Sequence, residues 1–183
     1  MNRSISKPRL SKRRSERISN IIALILLVSA AFIQTTLSPY LKIDGVHPDF
    51  VLVLVIAWTI LSDLEEGLAW AIIGGLSLDF MSAAPFGIFT LSLVIVAIVA
   101  NFSHGRIFGS SIVLPLGFTF PLTILFNALA LLILNLLGRP VVWIDAFNEI
   151  FLPVAIFNTG IMVVVFPPLY YLYRRMHPQP LSF

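Results

Sequence analysis

Apolar residues fall into six stretches along the chain, separated by short segments that contain polar residues, glycine and proline. An α-helix needs about 20 predominantly apolar residues to cross a bilayer, and long apolar stretches are typical of membrane-spanning helices. The pattern therefore predicts an all-α polytopic membrane protein with six transmembrane helices. The six stretches cover residues 18–38, 49–62, 67–81, 86–102, 110–137 and 150–173.

Three of these stretches depart from a simple crossing helix. The second and third are shorter than a full crossing at about 1.5 Å per residue. We expect them to draw flanking polar residues into the crossing, or to lie where the bilayer is thinned. The fifth contains Pro115 and Pro121. Because proline removes a helical hydrogen bond, this stretch is predicted to bend or to begin as an interfacial segment.

The composition agrees with a membrane location and excludes several other classes. Hydrophobic residues make up 58% of the chain and charged residues 11%, whereas a soluble domain has about 25% charged residues. Such a chain is neither an ordinary soluble domain nor a disordered one. The positive charge is concentrated at the two ends rather than over one face, which argues against a nucleic-acid partner. The lack of cysteine excludes disulfides, thiolate metal sites and a cysteine nucleophile.

The charges also predict the topology. Residues 1–17 carry seven cations and one acid, and we expect a flexible, solvated tail that contacts anionic lipid headgroups. Six spans place both termini on one side, which then carries ten of the 12 cations, whereas Lys42 and Arg139 lie on the other. The positive-inside rule makes both termini cytoplasmic. The predicted divisions are a basic tail at 1–17, a six-helix domain at 18–173 and a short tail at 174–183.

The third stretch has small residues at steps of four. Gly67, Ala71 and Gly75 precede Asp79 at this spacing, and Gly74 widens the smooth patch. Small residues at this spacing let two helix backbones approach closely. The stripe therefore fits either packing within the chain or a docking face for another membrane protein. Asp79 fits a cap on the backbone N–H groups near 82–86, a contact with a partner, or a proton-relay or ligand role.

Other polar groups mark helix ends. Pro48 and Asp49 begin the second span, where the helix dipole favours a carboxylate. Asp63, Glu65 and Glu66 precede or begin the third span on the predicted cytoplasmic side. These three acids fit ordinary helix-start positions; a docking site for a basic cytoplasmic partner is the alternative.

Polar groups that could carry chemistry are few. Amide side chains within the apolar stretches are expected to hydrogen-bond across helices, or to line a polar pocket; they are Gln34, Asn127 and Asn158. The histidines lie far apart in the chain with no ligand at metal spacing; they are His47, His104 and His177. No hydrolase elbow, phosphate-binding loop or zinc-protease helix is present. We therefore predict no catalytic residue, no cofactor and no metal site.

Two neighbouring segments resemble the rod shape-determining protein MreD family. They are PDFVLVLVIAW at 48–58 and EEGLAWAIIGGLSLDFMSAAPFG at 65–87. The family shows a Pro-Asp at the second span, a Glu-Gly before a glycine pair, an Asp, and a loop that ends in Pro-x-Gly. That loop usually carries Ser-Gly before the Pro-x-Gly, whereas this chain has Ser82-Ala83-Ala84. The matching positions are Pro48, Asp49, Glu66, Gly67, Gly74, Gly75, Asp79, Pro85 and Gly87.

The resemblance implies an integral component of the bacterial inner membrane that works in the elongation machinery. It implies the bitopic protein MreC as a partner, together with the filament MreB and the wall-synthesising glycosyltransferase and transpeptidase. It also implies a fold similar to the six-helix substrate-binding components of energy-coupling vitamin transporters, although a shared fold does not carry function with it.

Our interpretation is a non-enzymatic membrane scaffold that binds partner helices through exposed faces that include the Gly67–Asp79 stripe, with no small-molecule substrate. The alternative is a solute-binding membrane component of a vitamin or ion transporter. That function would need a polar pocket lined by residues such as Asn127, Asn158 and Asp79. An intramembrane lipid-processing enzyme would need clustered catalytic groups, which the sequence does not show.

Overall fold

The computed structural model describes residues 7–37, 47–102, 113–140 and 142–177. Nearly all of these residues are helical, and these ranges contain no strand, which confirms the all-α prediction. A π-helical turn, Phe147–Phe151, joins the last two helices into one continuous segment. The helices are α1 Lys7–Leu37, α2 Phe50–Leu61, α3 Leu64–Met81, α4 Ile88–Asn101, α5 Val113–Leu136, α6 Trp143–Ala146 and α7 Leu152–Met176.

The helix boundaries depart most from the apolar stretches at the starts of the first and the last helical segments. Helix α1 begins at Lys7, so the expectation of a flexible tail is wrong for the backbone of residues 7–17. Lysine, arginine and leucine are good helix formers, and extending an existing helix needs no new nucleus. The last helical segment begins at Trp143, before the predicted start at residue 150. Arg3, Lys42, Arg106 and His104 lie outside the described residues.

Within the described residues, two helical segments are long and apolar enough to cross a membrane by length and composition, Pro115–Leu136 and Trp143–Met176. Three shorter apolar helices are Asn20–Thr36, Phe50–Leu61 and Ile88–Asn101. At about 1.5 Å per residue, α2 is only roughly 18 Å long. The count of six spans therefore remains a prediction.

Helices α2 and α3 form the centre of the packing. Helix α3 contacts α1, α2 and α4, whereas α7 contacts α2 and α5. Ten of the 12 residues of α2 are buried. The indole rings of Trp58 and Trp70 stack with 4.2 Å between their centroids. This aromatic pair fixes α2 against α3 at one end of the bundle.

The outer surface is strongly apolar. Ile25 is 62% exposed, Phe80 76% and Val164 74%, and large apolar side chains are exposed on most of the helices. In water, an apolar surface of this extent is rare for a monomeric protein. These side chains are therefore placed to contact lipid or other membrane helices.

Candidate functional site

The small-residue stripe of α3 faces the interior of the protein. A Cβ atom at Gly67 would lie 2.8 Å from the methyl group of Thr59, and one at Gly74 would lie 2.9 Å from a methyl group of Val51. Both contacts are with α2, and Ala71 between them is fully buried. The stripe packs helices of this chain together, so its reading as an exposed docking face is wrong for the described fold.

Gly75 lies against the first turn of α4. A Cβ atom there would overlap the Cα atom of Thr90 and would lie 2.9 Å from its backbone nitrogen. This arrangement leaves no room for a side chain. Glycine at this position lets the backbones of α3 and α4 come into direct contact, and this contact brings Asp79 to the start of α4.

Asp79 caps α4. Its Oδ1 accepts a hydrogen bond from the backbone N–H of Phe89 at 3.0 Å, and its Oδ2 accepts one from that of Thr90 at 3.1 Å. The hydroxyl of Thr90 also donates to Oδ2. A cap was expected, but at 82–86 rather than here. The difference arises because Gly87, with a φ of 97°, turns the chain immediately before α4, and half-buried Pro85 lies in the same turn.

A second polar junction joins three helices around Asp49. The side-chain amide of Gln34 in α1 donates to Asp49 Oδ1 at 3.1 Å, and its oxygen accepts from the backbone N–H of Val51 at 3.3 Å. The backbone N–H of Asp49 donates to Asn158 Oδ1 in α7 at 3.0 Å. Gln34 therefore caps α2, whose own N-cap side chain makes no capping bond. Pro48 is buried beside it.

The amide side chains and Asp79 bond to different groups. The side chain of Asn127 donates to the carbonyl of Thr123 within α5, whereas Asn158 bonds to Asp49 and Asp79 bonds to α4. No hydrogen bond joins Asn127, Asn158 and Asp79 in the part of the chain that the structure describes.

A third junction lies at the opposite end of α3. Glu66 is buried, and its Oε1 is 3.1 Å from Nε2 of His177, directly after α7. Asp63, the N-cap of α3, and Glu65 are both exposed. The predicted acidic patch is therefore divided, because Glu66 turns inward while its two neighbours face outward.

From the sequence, His177 was considered only as a metal ligand, and Thr90 was not considered. Gln34 was expected to hydrogen-bond across helices, but not to cap one. His177 bonds to a residue 111 positions away, and Gln34 bonds to one 17 positions away. A local pattern carries no signal for such pairings. Within the described residues, no group of three or more metal-ligating side chains comes together.

The sequence was also compared with known proteins. A family model described as rod shape-determining protein MreD matches residues 15–176. The match covers most of the chain and extends well beyond the two segments that carry the resemblance. No curated protein and no solved structure shows a significant match.

Proposed function

Because the chain belongs to the MreD family of membrane proteins involved in rod shape determination, we propose that it is a multi-pass scaffold of the bacterial elongation machinery. In this proposal it crosses the cytoplasmic membrane six times, has both termini in the cytoplasm and holds MreC beside the wall-synthesising enzymes. The observation that carries the proposal is the family match over residues 15–176.

The use of the interior polar groups supports a structural role. Asp79 is 4% exposed and accepts three hydrogen bonds from the start of α4. Asp49 is held between α1 and α7, and Glu66 is held by His177. Carboxylates are costly inside a membrane protein unless they are paired. These three carboxylates act as ties between helices, as expected of a rigid framework.

Since the α3 stripe is internal, partner helices would bind to the outer surfaces. The outward face of α1 presents large apolar side chains at helical spacing, Ile21, Leu24, Ile25, Val28 and Phe32. On α7, a Cβ atom at Gly160 would meet nothing within 4 Å, and Ile156 and Val164 are exposed nearby. Membrane helices associate by close packing at such surfaces.

A cross-linking experiment tests MreC binding directly. The chain has no cysteine, so single cysteines at Ile25 in α1 or at Val164 in α7 can be oxidised against single cysteines in the transmembrane helix of MreC. We expect a cross-link from at least one of these faces, and none from a buried control at Ala155. If neither face cross-links although the two proteins are expressed together, binding of MreC through α1 or α7 is refuted.

A cell-shape assay tests the biological role. The chain would be expressed in a rod-shaped bacterium that lacks its own MreD-family protein, and we expect round cells to return to rods. Failure to restore rods, at expression equal to that of a functional family member, counts against the scaffold. A thermal shift of several degrees with one compound of a vitamin panel would instead favour the transporter component.

A further inference from the structure

Two arginine–tyrosine pairs lie in the last turns of α7. The guanidinium carbon of Arg174 lies 5.8 Å from the ring centre of Tyr170, and that of Arg175 lies 5.1 Å from the ring centre of Tyr171. Each arginine follows its tyrosine by four residues, which places the two side chains on the same side of the helix. Both arginines are exposed, and so is Tyr171. The end of α7 therefore presents guanidinium groups on two adjacent residues, each held against an aromatic ring.

This stacking leaves the hydrogen-bonding capacity of the arginines unused. A cation–π contact uses the face of a guanidinium group, whereas the five N–H donors lie in its plane and point outward from the edge. Neither Arg174 nor Arg175 pairs with a carboxylate among the described residues. The free edges suit an acceptor from outside the protein, and a phosphate group accepts bidentate hydrogen bonds from arginine.

The packing of the helices places these arginines at the same end as the basic start of α1. A Cβ atom at Gly74 of α3 would lie 3.5 Å from a methyl group of Leu27 in α1. Further along both helices, the sulfur of Met81 lies 4.0 Å from the hydroxyl of Thr35. Helices α1 and α3 therefore run parallel. Since the start of α3 meets the end of α7, the start of α1 and the end of α7 lie at one end of the bundle.

The start of α1 brings many cations to this end. Residues 7–17 hold six cations and one acid within the helix. Arg14 precedes Ile21 by seven residues, about two helical turns, so it is placed on the side of α1 where Ile21 is exposed. Of the charged residues described at this end, eight are cations and four are acids, namely Glu16, Asp63, Glu65 and Glu66. Basic clusters beside a membrane helix attract anionic headgroups, so the net charge favours an anionic ligand.

An exposed stripe leads along α7 to the arginines. Val164, Pro168 and Tyr171 are exposed at helical spacing, and Arg175 follows Tyr171 by four residues. The stripe is apolar at Val164, aromatic at Tyr171 and cationic at Arg175. This order matches the acyl chains, the interface and the headgroups of a bilayer. An acidic protein in water would use the cations but not the apolar part of the stripe, so these observations favour a lipid.

We propose that the end of α7 binds the phosphate group of an anionic phospholipid through the guanidinium edges of Arg174 and Arg175. The tyrosine rings hold the two groups in place, and the acyl chains lie along the stripe that begins at Val164. The cations of α1 attract such lipids to this end without forming the site. The inference goes beyond the scaffold role, does not involve MreC and leaves the outward face of α1 available to a partner helix.

The affinity of the full-length protein for two lipids tests the site. Protein in a non-ionic detergent would be titrated with phosphatidylglycerol or phosphatidylcholine, and native mass spectrometry would give the Kd of the first bound lipid. Arg174→Gln/Arg175→Gln removes two charges from the site, whereas Arg174→Lys/Arg175→Lys keeps the charges but loses the planar, bidentate groups. Arg13→Gln/Arg14→Gln is the matched control, since it removes two charges from α1 at the same end.

We expect the wild type to bind phosphatidylglycerol more tightly than phosphatidylcholine. The glutamine variant of the site should weaken phosphatidylglycerol binding about five- to twentyfold, because each basic residue near anionic headgroups is worth about a fivefold change in affinity. The lysine variant should recover part of this loss, and the α1 control should lose less than the glutamine variant of the site.

Three results of this titration would overturn the proposal. They are an equal loss in the α1 control, full wild-type affinity in the lysine variant, and equal affinity of the wild type for the two lipids. The last result would leave an acidic protein as the partner. If the glutamine variant of the site does not fold, the comparison of the lysine variant with the wild type decides.

A photochemical cross-link locates the lipid. A photoreactive amino acid would replace Val164, or Leu91 near the start of α4 as the control position; these residues are 74% and 52% exposed. In vesicles with equal amounts of the two lipids, we expect Val164 to capture more phosphatidylglycerol and Leu91 to capture both equally. The preference at Val164 should disappear in Arg174→Gln/Arg175→Gln and persist in millimolar inorganic phosphate. Equal capture at Val164 in the wild type would refute the site, and loss of the preference in phosphate would assign the arginines to free phosphate instead of a lipid.

Discussion

Replacing Gly75 with alanine should separate α3 from α4. The new methyl carbon would overlap Thr90 Cα and lie 2.9 Å from its nitrogen, whereas ordinary van der Waals contact begins near 3.4 Å. The contact is with backbone, so side-chain rotation does not relieve it. The start of α4 must therefore move away from α3, and overpacking of this kind costs about 1–3 kcal/mol.

The same movement disturbs the cap. Thr90 supplies two of the three donors to Asp79, so its displacement weakens bonds to a buried carboxylate, at a cost of about 1–3 kcal/mol. Alanine regains up to about 1 kcal/mol through its higher helix propensity. The expected net loss in the free energy of unfolding is about 2–4 kcal/mol, which lowers the unfolding midpoint by about 5–15 °C.

The assay is thermal unfolding in detergent, with Gly117→Ala and Gly160→Ala as matched controls. Both control glycines lie in helices and have nothing within 4 Å of a Cβ position. We expect their midpoints to stay unchanged or to rise slightly. An unfolding midpoint of Gly75→Ala equal to that of Gly160→Ala would refute the reasoning, because it would show that the α3–α4 contact accommodates a side chain.

Three further predictions use the same unfolding assay. Asp79→Asn places a side-chain NH2 group opposite the N–H donors at the start of α4 and should lower the free energy of unfolding by about 1–3 kcal/mol. An unfolding midpoint equal to that of the wild type would contradict the cap. Gln34→Leu should lower the free energy of unfolding by a similar amount, because it removes the bonds to the Asp49 carboxylate and to the backbone N–H of Val51. Asn127→Leu loses a bond within its own helix and should lower the free energy of unfolding by less than Gln34→Leu. A larger loss for Asn127→Leu would show that the junction is unimportant. Trp70→Leu removes the stacked partner of Trp58 and should destabilise by about 2–5 kcal/mol, so a neutral effect would argue against this pair as the anchor of α2.

The sequence was a good guide to the helices and a weaker guide to their ends. Each predicted apolar stretch overlaps a helix, because burial in a bilayer or a bundle selects long apolar runs. The basic segment before residue 18 was expected to be flexible, yet α1 includes Lys7–Arg17. Composition measures the preference of a segment for water, whereas a helix propagates through adjoining residues whether they are apolar or not.

For the candidate residues, the sequence was likewise a better guide to their role than to their partners. The spacing of Gly67, Gly74 and Gly75 predicted close approach of helices, but it did not say which helices approach. The position of Asp79 predicted a cap, but not that Phe89 and Thr90 would receive it. Spacing along one helix determines which residues share a face. The partner of that face depends on loops and on packing elsewhere.

By itself, the sequence determined the all-α class, the apolar surface and the family, because all three follow from local composition and motif. Only the tertiary structure decided that the α3 stripe is internal, that Gln34 caps α2, and that Glu66 meets His177. Each of these depends on side chains far apart in the chain. Hydrophobic burial is non-directional and tolerates several arrangements of the helices, whereas a buried carboxylate is stable only where specific donors reach it.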